Sequence, residues 1–131
     1  MSEEIDLAAV LSELLYGDES AETLEQALDR LVTPTFVQRI NGQVYDRSAY
    51  VPHVREMRQL VLGGGELTVL EEIRADDAIA GRYLFRMVPL QGPPLVFESH
   101  VFARVDGRRI DRLVEVARQA EDWDGDLPAG N

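Results

Sequence analysis

The chain has 131 residues, 45% hydrophobic and 28% charged, with a formal net charge of -11, which is enough for one soluble domain without a disulfide or metal staple. No Cys is present and all 13 basic residues are Arg, which excludes thiol nucleophiles, thiolate zinc sites, Schiff-base lysines and a Walker-type phosphate lysine. The apolar runs fall short of the ~20 residues of a membrane span, and acidic segments at residues 1–32 and 121–126 repel phosphate and anionic lipid, so neither nucleic-acid nor membrane partners are expected.

In chain order, Leu7, Val10, Leu11, Leu14 and Leu15 form one helical stripe, preceded by Glu3, Glu4 and Asp6 and ended by Gly17. Ser20 is placed to cap a second helix carrying Leu24, Ala27, Leu28 and Leu31, which Thr33-Pro34 stops. Phe36 to Ile40 and Gln43 to Tyr45 flank Asn41-Gly42, the dipeptide of a tight hairpin. Asp46 or Ser48 caps a third helix with Tyr50, Val54, Met57 and Val61 on one face; Pro52 delays its regular part, and Gly63-Gly64-Gly65 breaks it. Four strand-like runs follow at 66–75, 78–88, 95–105 and 109–118, separated by Asp76-Asp77, Gln91-Gly92-Pro93-Pro94 and Asp106-Gly107. One domain over residues 1–118 is expected, with an acidic, frayed tail over 119–131. The acidic start at Met1-Ser2-Glu3-Glu4 is unlike a signal peptide, and a cytoplasmic protein is expected.

This element order resembles the nuclear transport factor 2-like superfamily, on Gly17-Asp18 after helix one, Phe36-Val37 entering the hairpin, and Asp106-Gly107-Arg108-Arg109-Ile110 before the strand Val114-Glu115-Val116. The branch it looks most like is the SnoaL-like, polyketide-cyclase-like one. The resemblance implies an α+β fold in which a curved sheet forms a cone-shaped barrel, packs on three N-terminal helices and encloses an apolar pocket. Two residues depart from the ketosteroid isomerases of that superfamily: Val10 stands near their oxyanion-binding Tyr, and Arg39 falls at their general-base Asp. Cyclases of the SnoaL type look to an acid or base in the penultimate strand, which here offers Glu98 and His100.

Strand alternation then sorts the candidates. Phe97, Ser99, Val101, Ala103 and Val105 form one face, and Glu98, His100, Phe102 and Arg104 the other; the strand before it divides into Tyr83, Phe85 and Met87 against Arg82, Leu84, Arg86 and Val88. The apolar set is expected to line the pocket, with Tyr83 as its hydroxyl, Tyr50 nearby and Arg39 a possible carbonyl or carboxylate partner. The charged set is expected on the outer face, where Glu98 and His100 pair with Arg82 or Arg86 and a homodimer forms over Phe102, Leu84 and Val88. A bulge would instead turn His100 inward as a general acid or base with Glu98 orienting it. Two functions follow: binding of a small hydrophobic or aromatic molecule, or a cyclase, isomerase or dehydratase using His100 and Glu98. With two His and no Cys, neither metal nor cofactor is expected.

Overall fold

The computed structural model describes residues 5–120. Helix α1 (Leu7–Tyr16) starts where the Asp6 carboxylate accepts the Ala9 N–H at 3.0 Å, and it buries Leu7, Val10, Leu11 and Leu14. Glu3 and Glu4 lie outside the described residues. Helix α2 (Leu24–Leu31) is capped by Thr23 rather than Ser20: Thr23 and Gln26 bond reciprocally to each other's backbone N–H, while Ser20 bonds Asp18.

The second helix runs straight into β1 (Val32–Ile40), a longer strand than the sequence predicts. Pro34 is exposed there and sits where the β1 register shifts, the kind of position at which a strand tolerates a missing donor. The Asn41-Gly42 turn (φ 49° and 85°) leads to β2 (Gln43–Asp46), and Asp46 then caps α3 (Arg47–Gln59) through the Ala49 N–H at 2.8 Å. This helix is regular from Arg47 despite Pro52. The proline and Ser48, whose carbonyl loses its partner, are both exposed, so water can serve that oxygen.

Four long strands complete the chain: β3 (Gly64–Arg74), β4 (Ala78–Val88), β5 (Leu95–Asp106) and β6 (Arg109–Gln119). With β1 and β2 they build one open six-stranded sheet in the order β2-β1-β6-β5-β4-β3. The meander β3 to β6 is antiparallel, but β1 joins β6 in parallel, so the sheet is mixed. The architecture is thus α+β, with three helices on one face of the sheet. Between them lies a core that includes Leu24, Leu28, Phe36, Tyr83, Ile110 and Leu113.

Tyr16 and Arg58 tie the end of the first helix to the sheet and to α3. Tyr16 places its hydroxyl 2.9 Å and 2.8 Å from the carbonyls of Glu66 and Arg86, on β3 and β4. From α3, the buried Arg58 donates to the Leu14 carbonyl at 2.8 Å, one of those that a helix end leaves unpaired, and to the Glu13 carbonyl at 3.3 Å, which also accepts the Gly17 N–H.

Candidate functional site

A cavity of about 310 Å³ opens between the helices and the inner face of the sheet. Leu11, Leu14 and Leu15 of α1 and Tyr50, His53, Val54 and Met57 of α3 form one wall; Phe85 and Met87 of β4 and Phe97 and Ser99 of β5 form the other. Gln38 and Ile40 of β1, Gln43 of β2, Glu115 and Ala117 of β6, and the turn at Asn41 complete it. That turn is fastened to β6: the Asn41 amide donates to the Ala117 carbonyl and accepts the Ala117 N–H, both at 2.9 Å.

The polar floor is Glu115. Its Oε1 accepts from Gln38 Nε2 at 2.7 Å and its Oε2 from Ser99 Oγ at 3.3 Å, both neutral partners. Burial pushes the Glu115 carboxyl above the usual carboxylate range, and those two hydrogen bonds offset the effect only in part. Gln38 Oε1 is buried without a partner. Tyr50 stands close enough that the Glu115 charge, second to burial, raises its phenol, with Arg58 opposing. His53 is half-buried and stacks on Tyr45 with ring centroids 4.2 Å apart; burial lowers its imidazole, with Glu56 opposing.

The inward aim of Glu115 depends on a bulge. Val105 faces Ile110 across the β5–β6 ladder, yet Arg104 faces Arg112, so Asp111 is an extra residue in β6. Its carboxylate accepts from the hydroxyls of Thr33 at 2.5 Å and Thr35 at 2.8 Å, and these hydrogen bonds, Thr33 first, hold it below the usual range. The extra residue reverses alternation: Ile110, Leu113, Glu115 and Ala117 share the inner face, while Val114 and Val116 turn outward, the latter 65% exposed.

Of the residues singled out from sequence, Tyr50, Phe85, Phe97 and Ser99 line the cavity. Tyr83 and Val101 do not; both are buried in the core. The Tyr83 ring lies back over Gly81, where a Cβ would meet its hydroxyl at 2.5 Å, and the hydroxyl donates to Glu72 Oε2 at 2.7 Å. A second extra residue, Leu70 in β3, brings Glu72 opposite Gly81 and so within reach. Arg39 is exposed on the outer face, next in sequence to the inward Gln38.

Glu98 and His100 also face outward, which removes the geometry that acid–base work by this pair in the cavity requires. Glu98 meets Arg118 at 2.9 Å, His100 at 3.3 Å and Arg82 at 3.4 Å, while Arg82 also pairs with Glu71 at 2.6 Å. Burial raises the Glu98 carboxyl, but the His100 and Arg118 contacts outweigh it and hold the group below its ordinary value. The residues that sequence reasoning missed, Glu115 and Gln38, were both marked by parity, Gln38 with Phe36 and Ile40 and Glu115 with Leu113. Recognising the second parity needs the bulge to be placed first.

No protein-family model matches the sequence, and no curated protein does. Solved structures do. IdmH from Streptomyces antibioticus, a proposed polyketide cyclase, is 19% identical with a TM-score of 0.65, covering 83% of this chain and 87% of its own. A proposed isomerase from Rhodopseudomonas palustris is 12% identical with a TM-score of 0.69, covering 85% of each chain. A nuclear transport factor 2-like protein of unknown function from Cytophaga hutchinsonii is 15% identical with a TM-score of 0.61, covering 84% of this chain and 94% of its own. The chain therefore has the nuclear transport factor 2-like fold that its sequence resembles. Among the described residues no helix is long and apolar enough to cross a membrane, and no group of His, Asp or Glu is placed to hold a metal ion.

Proposed function

We propose that the chain binds one small hydrophobic or aromatic molecule in the inner cavity, which the curved sheet and helices enclose as a cone. The observation that carries this reading is a space of about 310 Å³ walled by Leu, Phe, Met and Val side chains around a few polar groups gathered at Glu115. Such a site draws affinity from apolar contact and orientation from its polar floor. Titration with the apolar dye Nile red should give one site per chain, and Ala117→Phe, which fills the wall beside Glu115, should weaken it by about tenfold or more. Unchanged dye affinity in that variant counts against the cavity as the site.

A second reading is favoured by Glu115 itself. A carboxyl raised by burial beside a ligand space suits general acid or base work in a cyclase, isomerase or dehydratase, and here Glu115 takes the place that His100 and Glu98 cannot. For the assembly, we propose a homodimer through the outer sheet face, where Ile73, Phe102, Val114 and Val116 are exposed together along a groove edged by Arg82 and His100.

A further inference from the structure

Three side chains that carry a titratable proton line the cavity: Tyr50, His53 and Glu115. Burial holds the Tyr50 phenol above its ordinary value, so it keeps its proton at neutral pH and two groups are left to exchange one. Glu115 comes from the sheet on β6 and His53 from α3, so they approach the cavity from its two walls. Tyr50 neighbours both: its ring centroid is 6.3 Å from that of His53, and the Glu115 charge acts on its phenol. A space of about 310 Å³ suits one small ring compound, so its occupant meets both groups. The His53 ring is held by stacking on Tyr45, with centroids 4.2 Å and planes 18° apart, and among the described residues its nitrogens have no hydrogen-bond partner. A half-buried imidazole in that state keeps a nitrogen lone pair available. Burial, opposed by Glu56, holds it toward its neutral form, as burial holds Glu115 toward its acid form. The two therefore stand in an apolar space as one base and one acid, with no charge to desolvate.

We infer that His53 is a second catalytic residue of this cavity and works with Glu115 across a bound, enolisable carbonyl compound, His53 as the base and Glu115 as the acid. This rests on the reading that Glu115 does acid–base work, and it adds the partner and the substrate class. A ring nitrogen of His53 takes a proton from the carbon beside the carbonyl. The C–H electron pair becomes the enol double bond, and the carbonyl π pair moves onto oxygen, which takes the Glu115 proton. An enol, an imidazolium and a carboxylate result, and no oxidant or co-reactant enters. Return of the protons to the same carbon restores the ketone; return to a different carbon isomerises it. A carbonyl compound without a proton on that carbon gives His53 nothing to take, and a hydrocarbon gives Glu115 nothing to protonate. The walls suit a flat apolar body, with Phe85 and Phe97 on the sheet side and Leu11 and Met57 on the helix side.

The test uses the apolar ketone 2-tetralone with the full chain. Its binding is read by displacement of Nile red, and its enolisation in D₂O by the loss of the NMR signal of the protons beside the carbonyl. The unaltered chain should speed that exchange. His53→Asn should slow it about 100-fold and Glu115→Gln about tenfold or more, while the affinity for 2-tetralone holds within about threefold and shows that each variant is folded. If His53→Asn does not fold, His53→Gln carries the same comparison. His100, the chain's other histidine, lies on the outer face, so His100→Asn should change the exchange by less than about twofold; an equal loss there overturns the assignment to His53. Exchange that survives His53→Asn overturns the pair, and if it is then lost in Glu115→Gln the acid–base reading of Glu115 stands alone. Exchange that survives Glu115→Gln overturns both. Binding of 2-tetralone to the unaltered chain without faster exchange overturns both too and leaves the binding reading standing, whereas failure to displace the dye removes the cavity as the site and this inference with it.

Discussion

Glu98 and Glu115 lie on neighbouring strands and are almost equally withdrawn from solvent, at 9% and 7% exposure, yet their carboxyls are pushed in opposite directions. Glu98 on the outer face sits among Arg82, Arg118 and His100, and is held down as an anion. Glu115 on the inner face has an amide, a hydroxyl and apolar walls, and is held up toward its acid form. Burial alone therefore says little about a carboxylate. The charge of its partners decides whether it is held as an ion or toward its acid form.

The largest expected contrast lies between two neighbours on β6. Leu113 is fully buried on the inner face and Val114 is 37% exposed on the outer one. Leu113→Ala should cost about 2–5 kcal/mol in denaturant unfolding, whereas Val114→Ala should change the stability of a single chain by less than about 0.5 kcal/mol. If the outer face joins two copies, Val114→Asp should convert a dimer to a monomer in sedimentation at micromolar protein; a monomer in the unaltered chain removes the dimer proposal.

Next comes the opposite pH response of the two glutamates. Because Glu115 is raised above its ordinary 4.5, its contribution is fully present below that value and is lost as pH rises through its folded value. Thermal midpoints should thus decline as pH rises above the ordinary carboxyl value, and Glu115→Gln should flatten that limb. Glu98 is lowered from the same 4.5, so its contribution is present above that value and is lost as pH falls through the folded one. Glu98→Gln should flatten the acid limb and leave the alkaline one alone. Like slopes in both variants would show that the two faces do not differ as described.

The smallest effect separates two phenols. Tyr83→Phe removes the hydrogen bond to Glu72 and should lower stability by about 1–2 kcal/mol while leaving Nile red affinity unchanged. A weaker dye complex in this variant would bring Tyr83 back toward the cavity.

The helices and turns were legible in sequence because their signals are local. The stripes of α1 and α2 and the Asn41-Gly42 turn each act within a few residues and appear where the sequence places them, and of the two candidate caps for α3 the structure uses Asp46. Half of the cavity wall was legible too, since β4 and β5 pair without a register shift and their alternation holds along both strands. Tyr83 was misplaced because alternation fixes the face of a side chain but not its lean, and the space over Gly81 decided the lean. Glu115 was overlooked because Val114 and Val116 look like the buried pair and the acid between them like the solvated one.

By itself, the sequence determined the class of the molecule: three amphipathic helices and a run of long strands, since periodic apolar residues must bury one face and turn residues must break the pattern between them. It also determined the chemistry on offer, a cavity of carbon with few polar groups and without thiols or lysines. Only the tertiary structure decided which polar groups enter that cavity. The register of β6 is set by Asp111, which bulges toward Thr33 and Thr35, residues 78 and 76 positions away in the chain and adjacent only once β1 and β6 have paired. One extra residue there turns Glu115 inward and two valines outward, because side chains in a strand alternate with a period of two and a single insertion reverses every face beyond it.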